Sequence, residues 1–468
     1  MTSPSRRDIL KSLSAASLAA LTASAPRAWA EEGVQVVSRP KGTADSMILL
    51  WMGGAMSQTE SFDPKRMQEF KPGMETKSLI CTSPTIDTVC DHVKFGKGVE
   101  NLAKLMDRAS LIRSYVARDY GALAEDLQHI PFQYKWHTGY VTPGTVPAPF
   151  IGSWISKVLG PLNPDLPSYI EICRSEKTAN VFLSLGAFNP SGFFGAEHGP
   201  LFVPDPKTAV ETIASRFDVK RFDARYAKFK AAVEASPVSE VASSFQKESM
   251  INSMEAAYRL MRSPSVKAFD LSQEPKAVYD EYNTGQFGLG CLLARRLIEN
   301  RARFVEVHVD FENAKGWDTH SDGHAGQMAM KQIVDRPIAK LIRDLEERGL
   351  LNRTLVVMAT EFGRAAAGRG STKAKTVNKK SEYGLHGHFS SAASLLMFGG
   401  GTKKGVVYGK TRDEFPCDTI ENPVFIHDLH ATIYKTLGIG PKTAFDIEKR
   451  PFYATLDGKG KAIAEIVG

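Results

Sequence analysis

Four short stretches of this sequence hold most of the side chains that could do chemistry. Gly53-Gly54-Ala55-Met56-Ser57-Gln58-Thr59-Glu60-Ser61-Phe62-Asp63 puts hydroxyls and two carboxylates on a glycine-rich turn. Gly316-Trp317-Asp318-Thr319-His320-Ser321-Asp322-Gly323-His324 sets acids among imidazoles, and Thr360-Glu361-Phe362-Gly363-Arg364 places an acid near a guanidinium. Gly384-Leu385-His386-Gly387-His388 adds two more imidazoles. Hard oxygen ligands together with imidazole nitrogen suit a divalent ion such as zinc. Such an ion could polarise a phosphoryl or sulfuryl oxygen, or lower the pKa of bound water. The same residues also have plainer uses. Asp318 and His320 can cap a turn, and Glu361, leaving a hydrophobic strand, can pair with Arg364. His427, Asp428 and His430 open a C-terminal helix, where an acid suits the positive end of the dipole, and are read first as capping.

Each stretch adjoins an apolar run that reads as a buried strand: 47–52, 303–309, 355–359 and 394–398, with 110–116 and 168–173 as further strands. Between two of them, Met330, Ile333, Val334, Ile338, Leu341, Ile342 and Leu345 recur at helical steps over 327–348, with Pro337 as a kink and Gly349 as a stop. Strand, helix, strand predicts an α/β fold with a mostly parallel sheet sandwiched by helices. In such sheets the ligand crevice lies beyond the carboxyl ends of the strands, which is where the acids and imidazoles fall. Residues 205–283, rich in Ala, Lys, Glu and Ser, read as a helical insertion with helices over 221–235 and 244–262. The loop 365–380 carries Arg369, Lys373, Lys375, Lys379 and Lys380, and reads as a solvated loop or an anion-steering lid.

The N-terminus decides the compartment. Ser5-Arg6-Arg7-Asp8-Ile9-Leu10-Lys11, a mildly apolar run and Ala28-Trp29-Ala30 form a twin-arginine export signal, so the mature chain is expected to begin near Glu31 in the periplasm. That route carries folded proteins, which permits loading of a metal before export. Removing residues 1–30 lowers the net charge from +7 to about +4, a mild balance that does not imply nucleic acid. No other stretch is long and apolar enough to span a membrane. The 468 residues, 43% hydrophobic and 24% charged, exclude disordered, collagen-like and coiled-coil chains. Cys81, Cys90, Cys173, Cys291 and Cys417 contain no C-x-x-C, so only Cys81 with Cys90 is a candidate disulfide.

The segments GGAMSQTESFDPK, GQFGLGCLLARRLIE, GWDTH, TLVVMATEFGR, HGHFSSAASLLMFGGG followed by GVVYGKT, and HDLHATIYKTLGI occur in an order that resembles the domain of unknown function 1501 family. Those exported proteins look like a distant branch of the alkaline phosphatase and sulfatase superfamily. The resemblance implies a bimetal rim in which Asp318 with His320 or His324 stands for the D-x-x-x-H pair, Glu361 for the later acid and His388 for the final His. Glu60 or Asp63 substitutes for the acid of the first strand. Phe362 occupies the place of a ligand His, and His129-Ile130-Pro131-Phe132 stands where sulfatases carry C-x-P-S-R. With no Cys there, His129 acts as ligand or nucleophile, Ser57 or Thr59 supplies the hydroxyl, or the site is silent.

Three functions follow as expectations. The first is a metal-dependent hydrolase of an anionic small-molecule or polysaccharide ester, phosphate or sulfate, in which Arg364 stabilises developing charge. The second is a catalytically silent envelope protein that binds or assembles with a protein partner on the same fold. A periplasmic oxidoreductase partner is the third, suggested only by the export route.

Overall fold

In the computed structural model, the described residues are 39–76, 82–118, 128–141, 146–174, 190–214, 218–235, 244–309, 316–320, 323–365, 375–384, 386–447 and 450–467. The export signal, Cys81 and residues 366–374 of the basic loop lie outside them.

Strand β1 (Ser46–Met52) is buried along its whole length. An unbroken apolar run suits a strand covered on both faces, which is how parallel sheets are built. The other strands of its sheet are β2 (Ala109–Tyr115), β3 (Tyr169–Ile172), β4 (Leu201–Val203), β5 (Phe304–Val309), β6 (Thr354–Ala359), β7 (Ala393–Phe398) and β8 (Val406–Tyr408). Their order is β8-β2-β7-β6-β1-β5-β3-β4. Strand β1 runs parallel to β5 and β6 on its two sides. Only β7 is reversed, antiparallel to both β6 and β2. The six expected strands all join this sheet, whereas the short strands β4 and β8 have no run long enough to announce them.

Seven helices matter here: α1 (His129–Thr138), α2 (Ile151–Leu159), α3 (Val219–Glu234), α4 (Ser244–Arg262), α5 (Gln286–Glu299), α6 (Gly323–Glu347) and α7 (Ile426–Leu437). Ile48, Leu50 and Met52 of β1 pack with Leu289, Leu292, Ile338 and Leu341 of α5 and α6. Met47, Leu49 and Trp51 face the other way, against Tyr134, Trp136, Ile151, Trp154, Leu429 and Ile433 of α1, α2 and α7. Each fully buried side chain of this size contributes roughly 1.5–3 kcal/mol. The helices α3 and α4 lie between β4 and β5 and stack Tyr226 on Tyr258.

Helix α6 crosses from β5 to β6 over β1, which lies between them. It runs through Pro337. The missing Pro337 N–H would orphan the Ile333 carbonyl one turn earlier, but the Thr284 hydroxyl donates to it at 2.7 Å. The helix also begins four residues before the start read from its apolar stripe, at Gly323, where the backbone N–H donates to Gly384 O at 2.8 Å. A Cβ at Gly323 would lie 2.1 Å from His386 Nδ1, so only glycine lets the helix start so close. No helix among the described residues is long and apolar enough to cross a membrane.

Candidate metal centre at the sheet rim

The carboxyl ends of β1, β5 and β6 open onto one edge, and the reversed β7 brings its amino end to that edge, pairing Ala393 with Tyr115 at the end of β2. A short antiparallel pair, Gly363–Arg364 with His388–Phe389, sits just before β7. All four chemistry-bearing stretches therefore meet at one rim, and helix α1 adds its amino end.

Asp318 is the centre of the first donor set. Its Oδ1 lies 2.9 Å from His129 Nε2, 2.9 Å from His320 Nε2 and 3.6 Å from His388 Nε2. His129, Asp318, His320 and His388 can each turn a ligand atom toward one point. The second ring nitrogen of His129, Nδ1, sits 2.5 Å from Glu361 Oε1. Glu361 is fully buried and also accepts from Gly54 N at 2.9 Å and from Thr360 Oγ1 at 3.0 Å. An Nδ1–H held by Glu361 would leave Nε2 of His129, which here bonds Asp318 Oδ1 at 2.9 Å, as the atom that could bind an ion, the carboxylate–histidine arrangement that orients metal ligands. Burial would raise the Asp318 carboxyl, but the three imidazoles outweigh it and hold it well below the usual range.

A second set gathers around Glu60. His324 Nδ1 and His386 Nε2 each lie 2.8 Å from Glu60 Oε1. Neither approach is aligned as a hydrogen bond, so Glu60 Oε1 and His386 Nε2 are buried without one. Buried polar atoms are ordinarily paired. Two imidazole nitrogens converging with an orphaned carboxylate oxygen fit a divalent cation better than they fit each other. The other oxygen, Oε2, accepts from Ser83 Oγ at 3.0 Å. Lys331, buried on α6, donates to Ser83 Oγ, to Glu60 O at 2.9 Å and to Lys97 O at 2.6 Å.

The expected ligands thus divide between two sets. Asp318, His320 and His388 meet in one with His129; Glu60 and His324 meet in the other; Glu361 stands behind His129. His386 and Lys331 were missed. The signal for His386 was the H-G-H run itself, in which His386 and His388 serve different sets.

Arg364 is fully buried with its donors engaged: Nη2 at 2.5 Å from Asp318 Oδ1 and on Gly54 O, Nε to Ala55 O at 3.1 Å, Nη1 to His386 O at 3.2 Å. It ties both sets to the β1 turn, where Ala55 holds a left-handed φ of 69°. Glu361 pairs with His129 instead of forming the close ion pair with Arg364. A Cβ at Gly54 would lie 2.8 Å from Asp318 N, so the turn approaches Asp318 only because residue 54 is glycine. Gln327 of α6 accepts from Ser57 N at 3.0 Å and donates to Thr319 Oγ1 at 3.0 Å, joining the two turns.

Ser57 is buried, and its hydroxyl lies 3.3 Å from that of Thr59; among the described residues no hydrogen bond joins it to either set. Asp63 pairs with Lys65 at 3.1 Å and accepts from Thr411, and it belongs to neither set. Phe362 packs its ring 5.0 Å from His129 and 4.9 Å from His388. His430 donates to Trp136 O at 2.7 Å inside the core, and Asp428 accepts from Lys461 N at 2.9 Å.

No curated protein matches the chain. Among solved structures it is similar to Ps i-CgsB, at 11% identity and a TM-score of 0.36, over 86% of this chain and 72% of that one. It is also similar to the lipoteichoic acid synthase LtaP from Listeria monocytogenes (10%, 0.33, 91% and 79%). A protein in the alkaline phosphatase superfamily from Vibrio parahaemolyticus is a third such neighbour (9%, 0.32, 93% and 76%). Likenesses at these values carry no chemistry across. The sequence itself is matched over residues 44–467, a span that includes the sheet and both donor sets, and on that ground the chain belongs to the family described as protein of unknown function (DUF1501).

Proposed function

We propose that the rim binds two divalent ions, zinc first among the candidates, and that the protein is a metal-dependent hydrolase of phosphate or sulfate esters. One observation carries this reading: seven side chains at the ligand-binding edge of an α/β sheet sort into two sets of convergent oxygen and nitrogen donors. Bound divalent ions supply Lewis acidity toward phosphoryl or sulfuryl oxygen. The chain's own residues do the rest. Glu361 fixes the His129 ring, Lys331 and Ser83 fix Glu60, and Arg364 holds Asp318 and His386 at a set spacing. Its guanidinium is committed to protein acceptors, so its part is positioning rather than contact with the anion. His320 and His324 are the more open donors, with side chains 45% and 29% exposed, and mark the side from which an ester enters. Attack falls to water or to the Ser57 hydroxyl after it leaves Thr59. The Arg6-Arg7 pair and Ala28-Trp29-Ala30 support export to the periplasm by the twin-arginine route.

A second reading, a silent envelope binding protein, is favoured by Phe362. Its apolar ring packs against two of the donors where a further imidazole would serve an enzyme. The test is mature protein on a panel of aryl phosphates and sulfates, with metal content measured alongside. Chelator-sensitive turnover supports the hydrolase. Loaded metal with no turnover supports the silent reading, and metal-free, inactive protein removes the rim assignment.

A further inference from the structure

On the sheet face covered by α1, a third donor group lies outside both rim sets. Residues two apart on a strand share a side, so Glu306 and His308 of β5 project together, as do Tyr169 and Glu171 of β3. Glu171 and Glu306 stand opposite each other in register. Both are fully buried, and His308 is 7% exposed. His308 Nε2 lies 2.8 Å from Glu171 Oε1 and 3.1 Å from Glu306 Oε1. From the last turn of α1, His137 donates through Nδ1 to Gln133 O at 2.7 Å, and its Nε2 faces Glu306 Oε1 at 2.7 Å. Tyr169 OH donates to Glu306 Oε2 at 2.9 Å, and Arg174 Nη1 donates to Glu171 Oε1 at 2.7 Å.

Two buried carboxylates face one guanidinium, and uncompensated charge in the interior is costly. A network of imidazolium ions would balance it, with N–H bonds aimed at the oxygens. His137 supplies one such bond, from Nε2 to Glu306 Oε1 at 2.7 Å, but the rest of the group does not follow. His308 Nε2 is close to two carboxylate oxygens yet makes no hydrogen bond, and Glu171 Oε2 makes none either. His137 is held through its other nitrogen by a backbone carbonyl, as metal-bound imidazoles usually are. Ligand atoms of Glu171, Glu306 and His308 lie within 4.8 Å of one another, a spread that one ion can bridge.

We propose that His137, His308, Glu171 and Glu306 hold a structural divalent transition-metal ion. Two imidazoles favour zinc, manganese or iron over magnesium or calcium. The ion joins β3, β5 and the carboxyl end of α1, whose amino end carries His129 to the rim. It does not depend on ester hydrolysis, so either proposal can fail alone.

The test uses the mature protein, purified without chelator after growth with zinc, manganese and iron. One ion per chain is expected to survive dialysis against EDTA, and anomalous scattering at its absorption edge places a peak between these four side chains. Glu306→Gln removes that chelator-resistant ion while the exchangeable rim metal is unchanged. A folded wild-type protein with no peak there overturns the proposal, as does a Glu306→Gln variant that keeps the resistant ion. Should Glu306→Gln fail to fold, the anomalous map of the wild type decides alone.

Discussion

At the rim, His320 keeps 45% of its side chain exposed and His388 18%, whereas Glu171 and Glu306 beneath α1 keep none. The two regions use the same imidazoles and carboxylates. Depth separates their roles. A donor set with an open side can exchange its ion and admit a substrate, while an enclosed one can only tie elements together. His430 supplies a third case: a fully buried imidazole on α7 with no carboxylate bonded to it among the described residues. Burial, helped by the nearby His137 and His427, outweighs the Trp136 carbonyl and pushes it down to about 4, so it stays neutral.

The strongest way to break the contrast is Asp318→Asn. It removes the charge on which three imidazoles converge, and should lower ester turnover more than about a thousandfold with the fold intact by circular dichroism. Turnover within tenfold of wild type would show that the rim is not the reacting site.

Next is pH. His430 has a folded pKa below its unfolded value near 6.5, so its contribution is fully present above that value and is lost as pH falls toward about 4. The loss should approach about 3 kcal/mol, and His430→Gln should flatten the denaturation profile in that window. Parallel profiles for the two proteins would contradict a buried neutral imidazole.

Glu361→Gln should be milder, weakening rim metal affinity by about tenfold to a hundredfold, because it loosens His129 without removing a direct donor. Metal titration followed by calorimetry reads this. An effect as large as that of Asp318→Asn would make Glu361 itself a ligand. The smallest change calibrates the scaffold: Thr284→Val leaves the Ile333 carbonyl unpaired beside Pro337 and should cost about 1 kcal/mol by urea unfolding. Metal content should not move, and if it does, α6 transmits strain to His324.

The parts legible in the sequence are those where one physical signal dominates. Strands β1, β6 and β7 are apolar on both faces, and acids and imidazoles at their ends stood out against such runs. Helix α1 gave no comparable stripe, because it buries His129, Gln133, Lys135 and His137 beside Tyr134 and Trp136. His129 therefore came only through family likeness, and His137 not at all. Division of the donors into sets was equally hidden. Two imidazoles separated by one glycine share no helical or strand stripe that says which partner each will meet, and the reversed direction of β7 is a long-range fact. Glu306 and Glu171 were hidden inside strands, where an acid reads as an interruption rather than a site.

The pairing of β1 carries a consequence for how the protein is made. Met47 pairs with Phe304 on one side and Leu355 on the other, so the first strand waits through most of synthesis for both neighbours. Contacts of such separation make folding slow and leave an apolar strand uncovered while the chain emerges. Glu60 and His129 appear early and their partners late, so neither rim set can be completed until His386 and His388 have emerged. A chain cut before His386 keeps only Glu60 and His324 of the second set and should lose the ion proposed there.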